Sequence, residues 1–214
     1  GLLGSNGTIG QSILDHMCVD VVYNSNSVPG HVDHLIVAAP SGNRLAVNQG
    51  LINDNQATDN VFQMVCNIAP QRVTLISTVD VAVASNTVYG SNRAELEKRL
   101  QQQFPTTVLR LSTLIGTRIK KNILFDLKHN LFLNHINPNA VLQWCLLDDL
   151  PDLINNTPLG QVRNIVSEPI SNRDVLAMFR PELLSNSGPQ VYYDQAPFIY
   201  TQQQIFRAIG QYLA

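Results

Sequence analysis

Charged residues are scarce in this sequence, and their two signs nearly balance. Only 14% of the 214 residues are Asp, Glu, Lys or Arg, and the formal net charge is -2. Proteins that bind nucleic acid usually carry a basic face that neutralises phosphates. The charge therefore argues against a nucleic-acid partner.

Cysteines and long hydrophobic runs are also few. Cys18, Cys66 and Cys145 are odd in number and have no metal-ligand spacing, as is typical of reduced thiols in a cytoplasmic compartment. The five histidines show no ligand spacing either, so no metal site is predicted. No apolar run approaches the roughly 20 residues that span a bilayer. We therefore expect a cytoplasmic protein without a membrane partner.

What the chain does contain is short β-branched runs that alternate with helical patterns. The predicted strands are Val19 to Tyr23, His34 to Ala39, Arg72 to Ser77, Thr107 to Leu111, Leu142 to Leu147 and Val162 to Val166. The predicted helices are Asn53 to Ile68, Tyr89 to Phe104, Asn122 to Asn130, Asp149 to Asn155, Asn172 to Phe179 and Thr201 to Leu213. This alternation predicts an α/β fold with a mainly parallel sheet and helices on both faces. We expect a single domain over residues 1–214.

A glycine turn, GSNGTIG, separates the first strand from the first helix. Leu2 and Leu3 form the stub of a buried strand, and helical spacing begins at Ile9. Glycines at such a turn let the backbone approach a pyrophosphate, and the helix N-terminus adds partial positive charge. The turn therefore predicts a dinucleotide site, and the open alternative is a glycine-rich turn without a ligand.

A tyrosine and a cation stand one helical turn apart in YGSNRAELE. Tyr89 and Arg93 should emerge on the same face of a helix. Ser77 ends the preceding predicted strand, and Thr78 follows it directly. These residue types could serve hydride chemistry, with the tyrosine as acid/base. In the alternative interpretation, Arg93 pairs with Glu97 on a solvated helix face.

These motifs, in this order, resemble the extended branch of the short-chain dehydrogenase/reductase superfamily, the NAD-dependent epimerases and dehydratases of nucleotide sugars. HLIVAAPSG resembles the strand that ends in paired alanines beside the cofactor, and Asn60-Val61 resembles the opening of the following helix segment. LISTVDV resembles the strand with the catalytic Ser or Thr, YGSNRAELE the Tyr-x-x-x-Lys helix, and VLRLSTLIG the next strand.

The resemblance implies a doubly wound Rossmann-type fold and a nicotinamide cofactor. Tyr89 would be the acid/base, Thr78 would hydrogen-bond the reacting oxygen, and Arg93 would hold the ribose and lower the pKa of Tyr89. The implied cofactor-binding residues are Gly4, Asn6, Gly7, Thr8, Ile9, Gly10, Asn24, Ala38, Ala39, Pro40, Asn60, Ser77, Tyr89, Arg93 and Ser112. The implied substrate is a nucleotide sugar or a related polyol.

Several departures limit the resemblance. Arg93 stands where the family has lysine; it keeps the charge but does not readily release a proton. Only ten residues separate Tyr23 from His34, so an extended coil must replace the usual crossover helix. No basic residue follows Asn24, where Ser25, Asn26 and Ser27 stand, so we expect NAD without excluding NADP.

A further departure is size. Only the region from about residue 117 to residue 214 is left for a substrate-side portion, which is thus reduced. Its aromatic residues suit a core or a subunit contact, as in a homodimer, or else a substrate cleft; they are Tyr192, Tyr193, Phe198 and Tyr200. Two functions stay open at this point. One is an NAD-dependent epimerase/dehydratase-like oxidoreductase, and the other is a catalytically silent dinucleotide-binding sensor or assembly module.

Overall fold

The computed structural model describes residues 1–24, 30–40 and 42–214, and it divides the chain into two compact units. The first unit contains Gly1–Arg110 and Asp148–Arg163, and the second contains Leu111–Leu147 and Asn164–Ala214. No helix along these described ranges is long and apolar enough to cross a bilayer.

Strands and helices alternate along the chain. The strands are β1 (Leu2–Leu3), β2 (Val22–Tyr23), β3 (His34–Val37), β4 (Arg72–Thr78), β5 (Thr106–Leu111), β6 (Thr113–Ile115), β7 (Val141–Leu142), β8 (Trp144–Leu146), β9 (Val162–Ile165) and β10 (Ile170–Ser171). The helices are α1 (Thr8–His16), α2 (Arg44–Asn48), α3 (Asp54–Ile68), α4 (Asp80–Val83), α5 (Val88–Gln103), α6 (Ile123–His129), α7 (Leu150–Asn156), α8 (Asn172–Phe179) and α9 (Gln202–Leu213).

One sheet of six strands has the order β2-β1-β3-β4-β5-β9. β1 pairs in parallel with β2 on one side and with β3 on the other, and β3 pairs in parallel with β4. The strand order therefore reverses at β1. In open α/β sheets, ligands bind outside the carboxyl ends of the strands at such a reversal. The glycine turn lies at this end of β1.

Both faces of the sheet are buried. Successive strand residues point to opposite sides, so the burial of neighbouring residues shows that both sides are covered. On one face, Leu3, Leu35 and Leu75 belong to a core cluster that also contains residues of α3 and α5. On the other face, Leu2 and Ile36 are also buried. A parallel sheet covered by helices has this pattern. The predicted Rossmann-type α/β fold is confirmed.

The short connection from β2 to β3 crosses β1, as the sequence predicts. β1 lies between the two strands and is parallel to both. The described part of the connection, Asn24 and residues 30–33, contains no helix. Extended chain covers roughly 3.3 Å per residue, so ten residues suffice to pass one strand and return along the sheet.

The second unit contains two small strand pairs. β6 pairs in parallel with β8, and β7 pairs antiparallel with β10. α6 packs against α9. Of the C-terminal aromatic residues, Tyr193 and Tyr200 are buried, whereas Tyr192 and Phe198 are exposed.

The predicted strand from Leu142 to Leu147 is wrong in one respect, because Gln143 interrupts it. The buried Gln143 amide donates to the carbonyl oxygens of Ser167 at 2.7 Å and Gln195 at 2.8 Å, and it accepts from the Gln195 N–H at 2.8 Å. A buried amide needs such partners. The interruption leaves β7 and β8 to pair with different strands.

Candidate functional site

The glycine turn is built by close backbone packing. Gly4 has a φ of 97°, and a Cβ there would collide with the backbone oxygen of Ala38, which follows β3. A Cβ on Gly10 would collide with the backbone oxygen of Gly4. These two glycines are therefore required by the fold itself.

Gly7 differs from the other two glycines of the turn. A Cβ on Gly7 would come no nearer than 3.8 Å to any atom found around it, and the residue is exposed. The absent side chain thus leaves open space at the start of α1. Packing does not demand a glycine here, whereas a phosphate that approaches the backbone would.

The N-terminus of α1 has no side-chain cap. Gly7 is its N-cap residue, and its first turn contains no acidic residue. In contrast, Asn53 caps α3 and Thr87 caps α5 through their side chains. The first N–H groups of a helix lack partners within it, and an uncapped end attracts anions.

The other residues implied around the turn lie as follows. Ala38 donates its N–H to Leu3 at 2.8 Å, which holds the end of β3 beside the turn. Ala38, Ala39 and Pro40 are half-buried, as are Thr8 and Ile9, whereas Asn6 is exposed. Asn24 follows β2 and is exposed, and Ser25 to Ser27 lie outside the described residues.

Thr78 and Ser77 end β4 at the same edge of the sheet. Leu3, Val37 and Leu75 are in register, and β4 continues past Leu75 to Thr78. The Thr78 hydroxyl accepts the Asp80 N–H at 3.2 Å. The Ser77 hydroxyl is buried and donates to Glu97 at 2.5 Å. Ser77 is thus engaged in the core, whereas Thr78 is half-buried.

Tyr89 lies in the first turn of α5. Thr87 caps this helix by accepting the Gly90 N–H at 3.1 Å, and the Tyr89 N–H donates to Asn48 of α2 at 3.0 Å. The phenol oxygen lies 3.7 Å from the position that a Cβ on Gly42 would take, so the segment after β3 reaches it. Tyr89 is only 8% exposed.

Arg93 is buried and binds a carboxylate that is distant in sequence. Its guanidinium donates two parallel hydrogen bonds to Asp54 of α3, at 2.9 and 3.0 Å, and a longer one to Thr58 at 3.4 Å. Glu97 binds Arg110 and Ser77. The alternative with Arg93 and Glu97 on a solvated face is therefore wrong, since both are at most 5% exposed.

Burial controls the ionisation of Tyr89. Loss of hydration raises the pKa of the phenol above its usual value, and the nearby Arg93 guanidinium opposes this without cancelling it. Asp80 and Asp54 add smaller effects that also raise the pKa. The resemblance implied a lowered pKa, but here the Tyr89 pKa is raised on balance, so the phenol is protonated at neutral pH.

The structure does not bring Asn60 to the glycine turn, Thr78 or Tyr89. Asn60 lies on the exposed face of α3, where its side chain accepts a hydrogen bond from Gln56 at 2.9 Å. Ser112 follows β5 and donates its hydroxyl hydrogen to the Ile165 carbonyl at 2.9 Å. Among the described residues, no group of three or more His, Cys, Asp or Glu side chains could hold a metal ion.

Sequence reasoning missed Asp54 and Asn48, which contact the tyrosine helix. Asn48 ends α2, 41 residues before Tyr89, and Asp54 begins α3, 39 residues before Arg93. A groove of about 380 Å³ on the first unit is lined by both residues and by Val88. The available signal for Asp54 was an acidic residue on the helix face that continues with Val61, Val65 and Ile68, because a charge on a buried face requires a partner.

No protein-family model matches the sequence, and no curated protein matches it either. Solved structures do match. A UDP-glucose 4-epimerase from Thermotoga maritima, solved with UDP-glucose, is similar at 12% identity, with a TM-score of 0.67, over 94% of this chain and 87% of that one. A UDP-N-acetylglucosamine 4-epimerase from Bacillus cereus is similar at 13% identity, with a TM-score of 0.69, over 99% and 96%.

A dTDP-glucose 4,6-dehydratase from Streptomyces venezuelae, solved as a double mutant with NAD bound, is also similar. Its identity is 14% and its TM-score 0.68, over 98% of this chain and 90% of that one. Such identities establish the fold alone. The chain therefore has the fold of the nucleotide-sugar epimerases and dehydratases, the fold that its motifs resemble.

Proposed function

We propose that the protein is an NAD-dependent oxidoreductase of the epimerase/dehydratase kind, acting on a nucleotide sugar or a related polyol. The observation that carries this proposal is the arrangement at the carboxyl edge of the first unit's sheet. An uncapped glycine turn follows β1, Thr78 ends β4, and Tyr89 lies in the first turn of α5. The solved relatives that share the fold include an NAD-bound dehydratase and an epimerase solved with UDP-glucose.

The glycine turn fits a dinucleotide. Gly4 and Gly10 keep the turn tight, and Gly7 leaves the approach open. No side chain caps the start of α1, so none would compete with a bound anion for the N–H groups there. We assign the pyrophosphate to this turn. Ala38, Ala39 and Pro40 border the turn, and the exposed Asn24 at the end of β2 would meet the adenosine ribose.

Bound NAD would accept a hydride from the sugar and return it. The protein's part is to move a proton and to orient the substrate. Tyr89, with its raised pKa, is a protonated phenol at neutral pH, so it can donate a proton to the sugar oxygen when the hydride returns. When the hydride leaves the sugar, the ionised form of Tyr89 would accept the proton of the sugar hydroxyl. Thr78 has a half-buried hydroxyl that can hydrogen-bond the same oxygen. The groove beside Asn48 and Val88 offers amide groups for sugar hydroxyls.

Native mass spectrometry of the purified protein tests the cofactor, and incubation with UDP- and dTDP-sugars tests the reaction. We expect a bound NAD, or a mass gain on adding it, and conversion of at least one sugar with transient reduction of the nicotinamide. If neither NAD nor NADP binds, the proposal fails. If NAD binds but no sugar is converted and no hydride is transferred, the protein is a silent dinucleotide-binding module instead.

A further inference from the structure

Asp54 is the most enclosed carboxylate near the tyrosine helix. Its side chain is 2% exposed, and it lies in the first turn of α3. Besides the two hydrogen bonds from Arg93, it accepts one from the Asn92 amide at 2.9 Å. A carboxylate in the first turn of a helix is also stabilised by the helix dipole. Asp54 is thus fixed independently of Arg93.

Arg93 stands over the ring of Tyr89. The central carbon of its guanidinium is 4.4 Å from the ring centroid, within the range of a cation-π contact. The arginine side chain is long and flexible, and a buried cation moves to wherever a carboxylate compensates its charge. The bidentate pair with Asp54 has a planar geometry that permits few other guanidinium positions.

We propose that Asp54 is a positioning residue of the Tyr89 site, which holds the Arg93 cation over the phenol ring through the bidentate ion pair. The ion pair joins α3 to α5 and so fixes the cation relative to the residue that we assign as acid/base. This inference rests on the proposed function for its catalytic meaning. Its geometry does not depend on a cofactor.

A double-mutant cycle on the titration of residue 89 tests this role. The protein carries 3-fluorotyrosine at position 89, because this analogue ionises at lower pH, and fluorine NMR follows the titration without NAD or substrate. In the wild-type background, Arg93→Gln should raise the titration midpoint by about one pH unit, since a nearby cation is lost. In the Asp54→Asn background, the same change should have less than about half this effect, because the cation has already moved.

The opposite result would overturn the proposal. If Arg93 stayed in place without Asp54, its charge would be uncompensated and Arg93→Gln would raise the midpoint as much or more. The double variant places two neutral amides in contact and keeps the cycle measurable. If Asp54→Asn alone fails to fold, Asp54→Glu replaces it, because it retains the charge and moves the carboxylate by one methylene.

The chain provides a matched control in a second ion pair between the same helices. Asp59 of α3 binds Arg99 of α5 at 2.5 Å, and Arg99 stands 4.0 Å over the ring of Phe62. Asp59→Asn and Arg99→Gln should leave the titration of residue 89 unchanged. A shift as large as that from Asp54 would show a general effect of helix contact and would refute positioning. Failure of NAD to bind would refute the proposed function alone.

Discussion

Tyr89 combines a buried ring with a hydroxyl whose pKa is raised by that burial. Replacing it by phenylalanine keeps the ring and its packing and removes only the hydroxyl group. We therefore expect Tyr89→Phe to reduce kcat by about 100-fold or more, which is the usual scale for loss of general acid/base catalysis. NAD affinity should stay nearly unchanged. Steady-state kinetics and NAD titration measure the two effects separately.

Tyr212→Phe is the control for this substitution, because Tyr212 belongs to α9 in the second unit. It should leave kcat unchanged. Wild-type turnover by Tyr89→Phe would remove the acid/base role from Tyr89. Equal losses in both variants would point to a general effect of removing a tyrosine hydroxyl.

The environment of His34 predicts that the free energy of unfolding depends on pH under acidic conditions. Burial, with Arg72 adding to it, lowers the pKa of His34 to about 4, and a ring nitrogen contacts the Thr74 hydroxyl at 2.8 Å. The unfolded chain binds this proton near pH 6.5, so between about pH 6.5 and 4 it holds more protons than the folded protein. The free energy of unfolding should therefore fall as the pH drops through this window and level off below it.

In His34→Gln, the fall in the free energy of unfolding over this pH window should be smaller by about 1 kcal/mol. This value is discounted for solvent screening because the site is only half-buried. Urea unfolding at several pH values measures it. His31→Gln is the control, since the His31 side chain is 62% exposed. The assignment to His34 would be wrong if the two variants lost the same amount.

The proximity of Tyr89 and Arg93 could be predicted from the sequence, but the ion pair of Arg93 with Asp54 could not. Two residues four positions apart on a helix are neighbours by geometry alone. The partner of Arg93, Asp54, comes 39 residues earlier, and only the packing of α3 against α5 brings them together. Tyr89 is buried as well, and the loss of hydration is why its pKa is raised instead of lowered.

The turn between β1 and α1 gives a prediction about two of its glycines. Gly10→Ala should destabilise the protein with or without ligand, because its Cβ meets the Gly4 backbone. Gly7→Val should change the free energy of unfolding by only about 1 kcal/mol, the scale of an N-cap change, but abolish stabilisation by NAD. Thermal unfolding with and without NAD measures both.

The contrast between the two positions makes the test specific. If Gly7→Val is stabilised by NAD as much as the wild type is, the pyrophosphate does not lie against this turn. Gly50→Val is no substitute control, because Gly50 has a φ of 73° that strains any side chain. Gly7→Ser is better matched, since serine caps a helix well and brings only a small side chain.

Helices were predicted to within one or two residues where a cap marks their start. Asn53 precedes α3 and Thr87 precedes α5, and both side chains accept the expected N–H groups. The five-residue helix α2 was missed because it is too short for a periodic pattern, although Asn43 caps it. The break at Gln143 was missed because its partners, Ser167 and Gln195, are distant in sequence.

The mainly parallel sheet could be predicted because strands alternate with helices along much of the chain, as β1 with α1 and β3 and β4 with the helices that follow them. Chain length and the right-handed geometry of parallel crossovers leave few other arrangements. The short crossover also has a functional consequence. Of the residues that the structure describes at the end of β2, Asn24 is exposed and uncharged, and in the proposed site it would lie at the adenosine side of the dinucleotide.

This end of β2 predicts that the protein prefers NAD to NADP. The sequence has no Lys or Arg from Asn24 to Gly30, so no cation there compensates a ribose 2′-phosphate. At about 100 times its Kd, NAD should raise the free energy of unfolding by about 2.7 kcal/mol, because it binds only the folded state. NADP at the same concentration should raise it by less. Asn24→Arg should narrow this difference by providing the missing cation. Parallel unfolding curves with each dinucleotide measure the preference, and equal or greater stabilisation by NADP in the wild type would mean that the cation is supplied from another element.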